Sequence, residues 1–202
     1  MSNLESLPKA AMRWQALRMT PPEMRAPPEI LTSRLLLRPP READAQSIFE
    51  RYASDREVGR YLGWPTHRNV NETLGFIALS AAQWQESGAG TYLIFLRADE
   101  RLLGSTGLAL ETPYRAMTGF VLAKDAWGQG IAAEALRSVL KEAAEPLQLH
   151  RVYALCHVDH AASARALEKA GLSREGVWRR FVIFPNLGEP EPSDVACYAW
   201  TR

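Results

Sequence analysis

Two glycines set two positions apart, Gly128 and Gly130, stand between an apolar run, GFVLA, and an alanine-rich stretch, IAAEAL. A strand that feeds a glycine turn and then a helix start is suited to holding an anion. The first N–H groups of a helix lack intrahelical acceptors and converge where the helix dipole is positive, and glycine lets the backbone come close to a guest. Phosphate fits such a cradle. The order Gly128-x-Gly130-x-x-Ala133 also satisfies a loose dinucleotide fingerprint. That fingerprint needs a parallel strand-turn-helix unit and an acidic residue about twenty positions on, where Gln148, Leu149 and His150 stand. No G-x-x-x-x-G-K-[ST] occurs, which argues against a P-loop. Taken alone, the glycines serve a plain tight turn equally well.

Other chemistries find less support. The four histidines and two cysteines show no metal-ligand spacing, so no metal is expected. Cys156 and Cys197 each lie in an apolar strand-like run, as buried thiols of a reducing compartment do. Arg179-Arg180 is too short a basic cluster for nucleic acid, and Trp178 beside it reads as core rather than as a stacking platform. The formal charge of +1 on 202 residues, with 47% hydrophobic and 23% charged residues, gives no bias toward nucleic acid or an anionic membrane. No run approaches the roughly eighteen apolar residues of a membrane span, so a cytoplasmic location is expected.

The elements that would position the turn follow from periodicity. A proline-marked lead, with a short helix around Ala10 to Met19, forms an extension over residues 1–29, and one domain fills 30–202. Strands are expected at Arg34–Pro39, Thr91–Ala98, Leu102–Glu111, Met117–Ala123, Arg151–Val158, Gly176–Phe184 and Asp194–Trp200. The run Tyr92–Leu96, apolar on both faces, should be central. Helices are expected at Arg41–Ala53 and from Val70, capped by Asn69 with Glu72 and closed by Gly88. Another begins at the glycine turn with Ile131, Ala135, Leu136, Val139, Leu140 and Ala143 inward, and a short one runs from His160 to Ala170.

Five stretches carry a resemblance: TSRLLLRPPREADA, RYLGWPTH, WGQGIAAEAL, HAASARALEKAGLSREGVWR and DVACYAW. In that order, over Thr32 to Arg202, the chain resembles a GNAT superfamily acyltransferase of the RimJ/RimL-like, ribosomal-protein-type N-terminal acetyltransferase branch. The resemblance implies an α+β fold with a mixed, mostly antiparallel, splayed sheet of about six to seven strands flanked by helices. It implies that acetyl-CoA lies in a cleft between the strand ending at Ala123 and the strand Arg151–Val158. Val121 and Leu122 would pair with the pantetheine arm. Trp127, Gly128, Gln129, Gly130, Ile131 and Ala132 would take the pyrophosphate, with His160 beside the cofactor. Ser163 would donate to the departing sulfur, and Glu111 or His157 would act as base unless water relays the proton.

The partners implied are acetyl-CoA and an amine acceptor, either a protein N-terminus or a small amine, and a homodimer is compatible with both. Segments 56–71 and 184–193 would meet the acceptor. His67 and Trp64 either line the acceptor pocket or cap a loop. Glu134, near the helix start and one turn before Arg137 and Lys141, reads as a stabilising carboxylate rather than a catalytic one. Three positions where the family carries acidic or amide groups hold Met117, Val182 and His160, and the turn opens on Trp127. A catalytically weak CoA-binding sensor or scaffold is therefore the alternative reading.

Overall fold

The computed structural model describes residues 24–202, so the helix expected at Ala10–Met19 lies outside the described residues. Eight strands form one mixed sheet in the order β1-β2-β3-β4-β5-β6-β8-β7. They are β1 Ile30–Leu31, β2 Leu35–Arg38, β3 Thr91–Leu96, β4 Leu102–Thr112, β5 Arg115–Leu122, β6 Arg151–His157, β7 Ser173–Val182 and β8 Ser193–Thr201. The seven expected strands are present. The eighth, β1, is a two-residue strand too short for any alternation to announce it, and it pairs with β2 through Ile30 and Leu37.

Every pairing is antiparallel except one, between β5 and β6, and it covers only Arg115–Met117 against Arg151–Tyr153. Beyond Met117 the two strands part. Strand β5 keeps β4 at its other edge as far as Leu122, while β6 keeps β8 as far as His157.

Helices cover both faces. On one side α4, Ile131–Val139, and α5, Ala161–Ala170, pack with the even-numbered residues of β6, Val152, Ala154 and Cys156. On the other side lie α1, Ala45–Ile48, its wider continuation Phe49–Ala53, and α3, Val70–Ser87. Short α2, Arg56–Gly59, joins them. In α4 and its continuation, Ile131, Ala135, Leu136, Val139, Leu140 and Ala143 are all buried, so the helical spacing read from sequence faces the sheet. Strand β3 is buried through Tyr92–Phe95, which is what an interior position demands. The segment before β1 packs rather than trailing away. Ala26 is in the core and donates its N–H to the Gly88 carbonyl at 2.8 Å, and Tyr92 Oη donates to the Pro27 carbonyl at 2.6 Å.

The start of α3 is fixed locally. Asn69, in extended backbone, accepts at Oδ1 from the Glu72 N–H at 3.3 Å, and Glu72 accepts at Oε2 from the Arg68 N–H at 2.9 Å. At the other end Gly88 takes φ +75°, the left-handed closure expected of it. Asn69→Ala should cost about 1 kcal/mol and lower Tm by ~2–4 °C in a thermal melt. An unchanged melt would show that the cap does not stabilise the helix.

Candidate functional site

The parting of β5 from β6 leaves backbone groups without a strand beside them. Ala123 donates to the Leu103 carbonyl at 2.8 Å, and the register pairs Leu122 with Gly104 and Val121 with Ser105. Antiparallel alternation then turns the Val121 backbone toward β4 and the Leu122 backbone into the gap. Of the two residues expected to offer an open amide, the geometry selects Leu122. Its carbonyl is already taken, by Trp127 Nε1 at 2.8 Å. Trp127 thus braces the gap's edge with its indole nitrogen.

The glycine turn follows at the end of β5 away from the β5–β6 pairing. Gly128 and Gly130 have φ of +73° and +75°, and a Cβ at Gly128 would meet nothing within 4 Å. At Gly130 a Cβ would find only Arg34 Nη2, at 3.8 Å. Gly130 is also the residue from which α4 starts, and no side chain caps that start. An open turn with unpaired helix amides is a fit cradle for a phosphate group.

Charged side chains hold the turn at both ends. At entry, Asp125 accepts from Arg51 Nη2 at 2.7 and 2.9 Å and from Arg101 Nη1 at 2.6 Å. Hydrogen bonding from Arg51, with Arg101 adding, keeps its carboxyl below the usual range. Gln129 Nε2 donates to the Asp125 carbonyl at 2.5 Å. At exit, Glu134 pairs with Arg34 at 2.6 Å and not with Arg137 or Lys141, the neighbours that sequence spacing suggested. Lys124, at the turn's entry, is likewise paired, with Asp55 and Glu57, so the charged side chains around the turn are held in ion pairs and its open helix amides are what draws an anion.

The residues expected to handle protons are spread over two faces of the sheet. Ser163 is buried in the first turn of α5, beside Cys156 of β6. Burial pushes the Cys156 thiol up, and a hydrogen bond from Ser163 opposes that. His160 precedes α5 and stacks on Tyr61, with ring centroids 4.7 Å apart. Glu111 lies at the closed end, across the sheet from Ser163. Its Oε1 accepts from Tyr153 Oη at 2.5 Å and its Oε2 from Arg115 Nε at 2.8 Å. Burial, and after it Glu111, pushes the Tyr153 hydroxyl up to about 12. Sequence reading passed over Tyr153; only its pairing opposite Met117, the last rung before the strands part, marks it.

The two segments expected to meet the acceptor are brought together by Asn186. Its Nδ2 donates to the Gly59 and Trp64 carbonyls, each at 2.8 Å, and its Oδ1 accepts from the Thr66 N–H at 2.9 Å. His67 is the loop cap: Nδ1 lies 2.8 Å from Thr73 Oγ1, and its N–H donates to the Ala53 carbonyl. Trp178 corrects the expectation of a core residue, being 37% exposed and in edge contact with exposed Phe181. A register break between Trp178 and Val182 turns this part of edge strand β7 outward, beside Tyr153. Among the described residues no cluster of three or more His, Cys, Asp or Glu is placed to hold a metal, and no helix is long and apolar enough to cross a membrane.

Comparison with known proteins agrees with this architecture. The acetyltransferase (GNAT) domain family model matches residues 34–173. The uncharacterized N-acetyltransferase YoaA of Bacillus subtilis (strain 168) is 32% identical over 157 residues, covering 77% of this chain and 88% of the relative. A GNAT-family acetyltransferase from Bacillus anthracis superposes with a TM-score of 0.74 at 26% identity, over 86% of this chain and 98% of that one. RimL, a ribosomal-protein alpha-N-protein acetyltransferase solved with coenzyme A, shares the fold with a TM-score of 0.76 at 22% identity, over 86% and 97% of the two chains.

Two half-buried imidazoles near the acceptor segments resist protonation. Burial holds His67 low, and burial with the charge of His157 holds His160 low. A group whose folded pKa is depressed in this sense favours folding above its unfolded pKa of about 6.5 and loses that contribution as pH falls toward the folded value. Thermal melts should therefore be flat above about pH 7 and decline from about 6.5 downward, with a smaller decline in His160→Asn. A parent melt that does not change between pH 7 and 5 would contradict the assignment.

Proposed function

The chain belongs to the GNAT acetyltransferase family, and from that premise we propose that it moves the acetyl group of acetyl-CoA onto a primary amine by direct attack in a ternary complex. One observation carries the reading: β5 leaves β6 after Met117 and Tyr153, and an open glycine turn with an uncapped helix start stands at the wide end of the gap. Acetyl-CoA supplies an activated thioester. In this reading the amides of Gly128 to Ala132 hold its pyrophosphate, the Leu122 N–H meets the pantetheine arm or the thioester oxygen, and Trp127 and His160 border the cofactor. Val121 contributes through its position in the strand, since its own backbone is turned to β4.

The chemistry asks for three things: a neutral amine, a donor to the developing oxyanion and a proton for the departing thiolate. The Leu122 N–H, turned into the gap, is a fixed donor for the oxyanion. Ser163, in the first turn of α5 beside one wall of the gap, donates a hydrogen bond to the departing sulfur, and the thiolate takes its proton from water. Glu111 is held by Arg115 and Tyr153, so the amine's proton leaves through water rather than to a carboxylate base. The acceptor enters between the segments that Asn186 joins and the Trp178–Phe181 face, which suits a peptide N-terminus better than a small amine. The fold shared with RimL supports that choice.

Two experiments test this reading. Gly130→Asp places a carboxylate at the turn with space for its Cβ, and aspartate tolerates positive φ better than most residues, so the fold should survive while CoA binding is abolished. A CoA titration with circular dichroism decides it, and retained affinity would remove the turn from the site. Separately, Ser163→Ala should lower kcat by ~10²-fold or more with little change in affinity for acetyl-CoA. Glu111→Gln should keep most of the rate, and the rate should climb with pH through a midpoint near pH 8 to a plateau above about pH 9, where a peptide amine is deprotonated. A normal rate for Ser163→Ala with chemistry limiting would refute the serine's role, and a collapse in Glu111→Gln would restore a carboxylate base.

A further inference from the structure

Arg34 stands 95 residues before Gln129, yet its whole guanidinium is spent on the glycine turn. Nη1 donates to the Gln129 carbonyl at 3.1 Å, Nε donates to Glu134 Oε2 at 2.7 Å, and Nη2 lies 2.6 Å from the same oxygen. Thr32 completes the set. Its Oγ1 donates to Glu134 Oε1 at 2.5 Å while accepting from the Leu35 N–H at 2.8 Å. Both oxygens of Glu134 are thereby engaged from one side.

Two physical effects follow. In a trans peptide the carbonyl and the next N–H point in opposite directions, and no cis peptide occurs among the described residues. Drawing the Gln129 carbonyl toward Arg34 therefore aims the Gly130 N–H away from it. The second effect concerns charge. Glu134 lies in the first turn of α4, and a helical side chain leans toward its helix N-terminus. A free carboxylate there is attracted to the very amides that would bind an anion, and it repels any phosphate that approaches. Burial raises the Glu134 carboxyl, but Thr32 and Arg34 outweigh that and keep it ionised, so it needs a counterion.

We propose that Arg34, assisted by Thr32, is the positioning residue of the phosphate site: it aims the Gly130 N–H and holds Glu134 away from the helix start. This rests on the reading that the Gly128–Ala132 turn receives the CoA pyrophosphate. It gives the TSR at the head of the domain and the glutamate of GIAAEAL a joint task in binding the co-substrate.

Isothermal titration of CoA into the full chain tests it. Arg34→Gln should weaken CoA by about tenfold, the scale of one charge-assisted hydrogen bond, with kcat at saturating acetyl-CoA much less affected. Arg34→Lys keeps the charge but loses the fork and should fall between. The decisive readout is rescue: Arg34→Gln combined with Glu134→Gln should recover most of the lost affinity, because the competing carboxylate is gone. A merely structural anchor would not be rescued by deleting its partner. If Arg34→Gln fails to fold, Thr32→Val, which removes the hydroxyl's hold on Glu134 and on the Arg34 N–H but keeps the Arg34 guanidinium, should still weaken CoA by a few-fold. Parent-like affinity in Arg34→Gln, or in Thr32→Val should Arg34→Gln not fold, overturns the proposal, as does a double variant no tighter than Arg34→Gln. Should Gly130→Asp also bind CoA like the parent, the turn reading has failed. Should Gly130→Asp lose CoA while Arg34→Gln does not, only the role of Arg34 has failed.

Discussion

A sheet that breaks its own ladder must find other partners for the backbone groups it frees, and the rest of this structure is arranged around that requirement. Past Met117, β5 presents one edge to a gap where no strand follows, although β4 still holds the other. The Leu122 carbonyl is satisfied by the Trp127 indole, which leaves the N–H groups of Phe120 and Leu122 facing the gap. On this reading the unpaired edge is a binding surface kept open for an extended guest. The fold tolerates it because α4 lies on β4 and β5 of one half-sheet, α5 lies on β6, β7 and β8 of the other, and the two helices pack together.

The glycine turn depends on the same logic in electrostatic form. A helix start without a side-chain cap is costly unless something negative arrives, and here, among the described residues, neither flanking carboxylate is left free to arrive. Asp125 is held at the entry by Arg51 and Arg101, and Glu134 at the exit by Arg34 and Thr32. Each carboxylate that could satisfy the helix internally is bound by arginine, so the amides stay available. These pairs are partly exposed, where an ion pair contributes little to stability by itself. Their value is in geometry: they fix where the charges sit.

Sequence patterns made the local elements legible and the distant pairings invisible. Asn69 with Glu72, Gly88, and the spacing from Ile131 to Ala143 each encode their structure within a few residues, so the helices could be read directly. The resemblance carried the mixed sheet and the parting of the strand ending at Ala123 from the strand Arg151–Val158. What could not be read was chemistry between residues far apart in the chain. Glu134 was set against Arg137 and Lys141 because helical spacing puts them close, whereas its partner Arg34 is reached through the sheet. Trp178 was placed in the core because an aromatic in a strand usually is, but a register break on an edge strand turned it outward, and no alternation records such a break. Tyr153 escaped notice because its importance lies in being the last residue paired before the strands part.

The central claim is that the parted strands and the glycine turn together receive acetyl-CoA. A titration of CoA into ¹⁵N-labelled protein, followed amide by amide, examines that most directly. The amides of Gly128 to Ala132 and of Phe120 and Leu122 should show the largest saturable shifts, since they are the donors left open along the gap. Saturable shifts confined to other surfaces, with those amides unmoved, would contradict it.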